Sequence, residues 1–175
     1  ELDAGAMPGL DLISALALDD IVLEVAITPN RGDCMSIAGL AREAAVLNCM
    51  EVGGPAITPV PATTTRRRTV QLAAPDGCPR YVGRSIDDVD LTRPAPVWMR
   101  ERLRRAGVRS INVAVDIANY VMLELGQPMH AFDDGKLRGD IVVRLARAGE
   151  RLMFLDGQDR ELGTDTLAIT DASGV

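Results

Sequence analysis

IVVRLARAGERLMFLDGQDRELGTDTLAIT, residues 141–170, decides the fold class. Ile141–Ala146, Leu152–Leu155 and Thr166–Thr170 are apolar runs of strand length. Asp156-Gly157-Gln158 is the Asp-Gly signal of a tight hairpin, because these residues accept the dihedrals such a turn demands. Upstream, residues 69–74 and 80–89 read as two more strands separated by Pro75-Asp76-Gly77. Between these β-rich ends lie two helical patterns. VWMRERLRRAG follows Pro94 and Pro96, which suit a helix N-terminus, and Gly107 ends it; Trp98 or Val97, Met99, Leu103 and Ala106 supply its apolar side. Residues 111–117 read as a strand running into a second helix, Ile117–Leu125, closed by Gly126.

The first third repeats the alternation of types. Residues 11–18 form a short helix capped by Asp11. Ile21, Leu23, Val25 and Ile27 alternate as one face of a strand, which Pro29-Asn30-Arg31-Gly32-Asp33 stops. Asp33 or Ser36 caps a helix to about Asn48, with Ile37, Leu40, Ala41, Ala44 and Leu47 as its apolar stripe. Residues 51–68 carry no apolar period and read as a Pro/Gly/Arg linker that includes Arg66-Arg67-Arg68. The expected fold is α+β, a mixed and mainly antiparallel sheet with packed helices.

Composition narrows the function classes. A chain of 175 residues, 47% hydrophobic and 25% charged, has the make-up of a soluble globular protein of one large or two small domains. No run approaches the roughly 20 apolar residues of a membrane span, and no signal peptide opens the chain. Cys34, Cys49 and Cys78 have no paired spacing, which argues for a reducing compartment and inert, buried thiols. The net charge of −6 hides a bias: Lys136 is the sole lysine among 19 basic residues. Arginine suits phosphate recognition, and a coding bias explains the count equally well. With five aromatic residues the chain is not a stacking platform for single-stranded nucleic acid of the kind that needs rows of Phe, Tyr and Trp. Glu1 in place of Met, and a turn-like end before Val175, suggest a piece of something longer.

There is no phosphate-binding glycine loop, no serine nucleophile elbow and no zinc-spaced His-Glu pair. His130 is the only histidine, so no metal site with two histidines can form. It sits in an irregular, partly apolar segment after a helix, where reactive side chains are often displayed. Asp116 and Asp133 read either as paired carboxylates or as a cap and a turn residue, the cap being favoured. Arg109 is either an anion ligand or a solvated arginine.

Three stretches carry a resemblance: ITPNRGDCMSIAGLAREAAVL (27–47), APVWMRERLRRAGVRSI (95–111) and VDIANYVMLELGQPMHAFD (115–133). Together with CPRYVGR (78–84) and LDGQDREL (155–162), they resemble the β subunit of bacterial phenylalanyl-tRNA synthetase, in order and over nearly the whole chain. The resemblance implies a cytoplasmic (αβ)₂ assembly whose α subunit holds the ATP, magnesium and phenylalanine site. The β subunit then contributes tRNA(Phe) binding, structural support and hydrolytic editing of Tyr-tRNA(Phe), with no cofactor in this segment and no membrane partner.

On the same basis residues 1–50 are a lead-in, 51–68 a linker and 69–175 the first part of the editing domain. His130 falls on the editing-site histidine and Asn119 on a pocket position beside Ala118, where the family usually has threonine. Arg109 matches an arginine near the tRNA 3′ end. The glycine-rich segment and the glutamate that reads the tyrosine hydroxyl follow the position of Val175. The isolated chain is therefore expected to be a half-site, inactive alone. The competing reading is a non-catalytic subunit-contact and tRNA-binding module, with Arg102, Arg104 and Arg105 on the RNA.

Overall fold

The computed structural model describes residues 7–16 and 18–174. The chain divides into two compact units, one of the residues up to Pro59 with Val89–Ala131, the other of Val60–Asp88 with the residues from Phe132 onward. All described helices fall in the first unit and all described strands in the second. This α+β division is interleaved along the chain, so the helices at 97–125 group with the N-terminal third rather than with residues 69–88.

The helical unit contains α1 (Leu12–Ala15), a 3₁₀ turn (Gly32–Met35), α2 (Ile37–Leu47), α3 (Val97–Arg105) and α4 (Val113–Leu125). Asp11 caps α1, its carboxylate accepting from the Ser14 amide at 2.9 Å. The expected helix 11–18 includes Ala17, which lies outside the described residues, as do Glu1 and Val175. Of the two candidate caps for α2 it is Ser36, accepting from the Gly39 amide at 3.1 Å. Asp33 instead binds Arg31 in two parallel bonds of 3.0 and 2.9 Å, and Arg31 reaches Glu43 on α2 at 2.7 Å. That guanidinium holds the Asp33 carboxyl at about 2 and straps the 3₁₀ turn to the helix.

The turn crosses α2 so closely that only glycine fits at position 39. A Cβ there would lie 1.7 Å from the Asp33 carbonyl oxygen. The buried positions of α2 are accordingly Gly39 and Ala45, while Ile37 and Leu47 of the expected stripe are exposed. Residues 21–27 alternate as a strand should, yet they form none. No described strand pairs with them; the Ile21 amide donates to the Asp20 carboxylate at 2.9 Å, and the Ile21 side chain is 81% exposed. Of the three thiols, Cys34 is buried and pushed up mainly by that burial, whereas Cys49 is exposed and Cys78 intermediate, against the expectation of buried thiols throughout.

The strand unit holds β1 (Val70–Leu72), β2 (Ile141–Leu145), β3 (Arg151–Met153), β4 (Asp159–Glu161) and β5 (Leu167–Thr170). β2 is central: parallel to β1 with Val70 opposite Ile141, and antiparallel to β5 with Leu145 opposite Leu167. Ile141 and Val143 alternate into the core of this sheet with Ala168 and Thr170 from β5, the period-2 pattern of a half-buried strand. The Asp-Gly hairpin forms, but its second strand is the exposed Asp159–Glu161 rather than Thr166–Thr170. Residues 80–89 form no strand, since their backbone finds no sheet edge among the described residues.

An ion pair closes the turn from β2 to β3. Arg144 donates to both oxygens of Glu150, at 2.7 and 2.6 Å, and the Arg147 amide adds a third bond at 2.8 Å. These bonds, the arginine's first, hold the Glu150 carboxyl at about 2.

Two expectations follow. Gly39→Ala should cost about 2–4 kcal/mol, because the clash with backbone outweighs the roughly 1 kcal/mol gain in helix propensity; a thermal melt at or above that of the parent chain would refute the close approach. Glu150 has a carboxyl depressed on folding. Its contribution is therefore complete above the unfolded value near 4.5 and fades as pH falls toward 2. Stability measured over that window should decline less steeply in Glu150→Gln than in the parent chain.

Candidate functional site

The candidate residues belong to α3, α4 and the segments that join and follow them, all in the helical unit. Pro96 stands at the N-cap of α3, and its last turn is basic at Arg102, Arg104 and Arg105. Ala95, Met99 and Leu103 are the buried face, against which Val108, Val113, Tyr120 and Leu123 pack. Trp98 and Ala106, expected inside, lie outside this core, and Ala95 takes their place because the chain enters the helix over its own apolar side. Gly107, at φ +77°, turns the chain out of α3.

Residues 111–117 contain no strand. The helix begins four residues earlier than expected because Asn112 caps it, its side-chain oxygen accepting from the Ala114 and Val115 amides at 3.1 Å each. Gly126 ends it in the left-handed conformation at φ +79°. Asp116 is thus not the cap. It lies in the first turn, 0% exposed, and looks back at the loop before the helix. The Ser110 hydroxyl donates to its Oδ2 at 2.6 Å and the Ile111 amide to its Oδ1 at 2.9 Å. A carboxylate at a helix N-terminus is favoured by the helix dipole, and two strong donors offset part of its burial cost.

Asp116 therefore ties the 110–111 backbone to α4, and with it the exposed Arg109 one residue upstream. Asn119 follows one turn along the same helix, half-buried. His130 lies five residues beyond Leu125, exposed, in the irregular segment after Gly126. Arg109, Asn119 and His130 are hence displayed before, on and after a single helix whose two ends are capped. Asp133 falls in the other unit, where it accepts from the Gly135 amide at 3.0 Å as a turn residue.

The three arginines in the last turn of α3 have different surroundings. Arg104 makes three bonds to Glu101, of 3.2, 3.2 and 2.9 Å, and its guanidinium is the main cause lowering that carboxyl below the usual range. Arg105, its side chain only 13% exposed, donates to Asp20 at 2.7 Å and to the Leu16 carbonyl at 3.1 Å. Arg102 donates from Nη1 to the Tyr120 hydroxyl at 2.6 Å and lies 5.4 Å from the Trp98 ring centre and 6.0 Å from that of Tyr120.

In the strand unit the Arg66-Arg67-Arg68 triplet borders a polar cavity of about 310 Å³ with Asp134 and Asp140. Arg66 pairs with Asp87 and Asp134, and Arg68 with Asp134, so most of the triplet's charge is internally balanced. Among the described residues no group of three or more His, Cys, Asp and Glu side chains could hold a metal ion, and no helix is long and apolar enough to cross a membrane.

Asp116 and Asn112 are the residues that reading by periodicity misplaced. Asn112 ahead of an apolar run is a helix-start signal; nothing local indicates that Asp116 turns backward. Asp116→Ala, which removes the acceptor of two hydrogen bonds and leaves a gap where a fully buried side chain stood, should cost about 1–3 kcal/mol. Asp116→Asn, which keeps an acceptor for Ile111, should cost less. Chemical denaturation of both variants checks this, and a stable Ala variant would contradict it.

Comparison with known proteins agrees with the sequence resemblance. Residues 77–175 match the family model described as the B3/4 domain. Over 171 residues, 98% of this chain, it is 56% identical to the phenylalanine–tRNA ligase beta subunit of Pseudomonas savastanoi pv. phaseolicola. The corresponding figures are 55% for Pseudomonas putida and 52% for Dickeya dadantii. In each case the chain spans 22% of the relative's length, about a fifth. The chain belongs to the B3/4 domain family, in the form carried by phenylalanine–tRNA ligase beta subunits.

Proposed function

We propose that this chain serves in a phenylalanine–tRNA ligase beta subunit and contributes there to hydrolytic editing of Tyr-tRNA(Phe). The observation that carries the reading is the 56% identity sustained over nearly the whole chain. The placement of Arg109, Asn119 and His130 around one doubly capped helix supports it. Phenylalanine and tyrosine differ by one hydroxyl, and a hydrophobic pocket rejects an isostere with an added hydroxyl only about 100-fold. A separate hydrolytic site that accepts the hydroxyl removes the mistake.

In this reading Arg109 contacts the tRNA 3′ end. Asn119 offers both a donor and an acceptor to the aminoacyl group, with Ala118 contributing no hydroxyl beside it. His130 orients the ester or its attacking water, since an imidazole carries one donor and one acceptor in its neutral form. Residues 69–175 form the first part of the editing domain, after a lead-in at 1–50 and a linker at 51–68. The partners are the alpha subunit, in an (αβ)₂ assembly in the cytoplasm, and tRNA(Phe). ATP and magnesium belong to the alpha subunit, and no cofactor is assigned to this chain.

The test is His130→Ala in the assembled enzyme. Phe-tRNA synthesis should stay within about twofold while hydrolysis of Tyr-tRNA(Phe) drops about 10²-fold or more, the usual scale for removing a group that manages a proton. Clearance of Tyr-tRNA(Phe) at the parent rate would remove His130 from the reaction.

A further inference from the structure

The last turn of α3 sorts its arginines in a way that its sequence does not show. Arg104 is engaged by a carboxylate on its own helix and Arg105 by Asp20 and a backbone carbonyl. Arg102 makes no ion pair among the described residues. Its direct contacts are neutral groups, the Tyr120 hydroxyl, which in turn donates to Glu124 at 3.2 Å, and the faces of Trp98 and Tyr120, while the Asp20 carboxylate bound by Arg105 acts on it only from further away. The two rings meet edge to face, with centres 5.2 Å apart and planes at 87°. A guanidinium has five N–H donors and this one uses a single donor on Tyr120, so a rigidly placed positive charge remains for an outside acceptor. Beside it Trp98 leaves 49% of its surface exposed.

We propose that Arg102 and Trp98 form one RNA contact, in which the guanidinium takes a backbone phosphate and the exposed indole takes an unpaired base. Tyr120 acts through Arg102 as a positioning residue. The chemistry is that of single-strand recognition: an arginine fork matches phosphate oxygens, and an aromatic face stacks on a base of any sequence. Holding the arginine in advance by cation–π contacts and one hydrogen bond lowers the entropy lost on binding. The proposal rests on the reading that this chain works on tRNA, and within the last turn of α3 it confines the contact to Arg102, excluding Arg104 and Arg105, whose carboxylate partners are Glu101 and Asp20.

The experiment measures tRNA(Phe) affinity of the assembled ligase against salt concentration, which needs no hydrolysis and so is independent of His130. Arg102→Gln should weaken binding about three- to tenfold and reduce the slope of log affinity against log salt by about 0.7–0.9, the value of one phosphate. Trp98→Leu should weaken binding about tenfold with the slope retained. Tyr120→Phe, which removes only the hydroxyl, should fall between the parent and Arg102→Gln. Arg104→Gln should bind like the parent. A parent slope in Arg102→Gln, or an equal loss in Arg104→Gln, would overturn the proposal while leaving the editing reading intact. Loss of the alpha subunit from Arg102→Gln with RNA affinity unchanged would also overturn it, marking a protein contact instead. An assembly with no salt-dependent affinity for tRNA(Phe) would overturn both.

Discussion

Asp116 is a carboxylate closed off from solvent, and the junction of α3 and α4 in the helical unit is organised around it. A buried carboxylate without donors would cost several kcal/mol, so its two bonds to Ser110 and Ile111 are conditions of the fold. Meeting them draws the loop after α3 onto the first turn of α4. This leaves Arg109 at the edge of the loop and lets Val108 and Val113 close over Leu103. At the other end Gly126 lets the chain leave the helix beside Ser36, the cap of α2; a Cβ there would come within 3.1 Å of the serine hydroxyl. The segment bearing His130 therefore starts from a fixed point at Gly126.

The arginine-rich composition has a mainly internal explanation. Arg31, Arg66, Arg68, Arg144, Arg151 and Arg160 all meet carboxylates within the chain, Arg31 and Arg144 through two parallel bonds. The planar fork that makes arginine a phosphate ligand also makes it a better clamp between turns and helices than lysine. A count of basic residues thus carries little information about nucleic acid. What distinguishes a candidate RNA residue is the neutrality of the groups that hold it, and in the last turn of α3 that distinguishes Arg102.

Several elements were legible because local physics decides them. The Asp-Gly hairpin, the proline start of α3, the glycine stops at 107 and 126 and the β2 pattern depend on neighbours a few residues away. The run at 21–27 misled because alternation records a face, whereas a strand also needs a second backbone to complete its ladder. The stripe on α2 misled because the side facing the 3₁₀ turn is chosen by closeness of approach, and small residues win there over Ile37 and Leu47.

The order of side chains by itself determined the α+β class, the family and the candidates His130, Asn119 and Arg109, since motif identity and turn chemistry are properties of short stretches. The tertiary structure alone decided the partner of each charge. Asp116 reaches back to a loop and not forward to a helix cap; Arg105 reaches Asp20, 85 residues away; Arg102 turns to two rings. A charge is neutralised by whatever lies within about 4 Å of it, and separation along the chain places no limit on what that is.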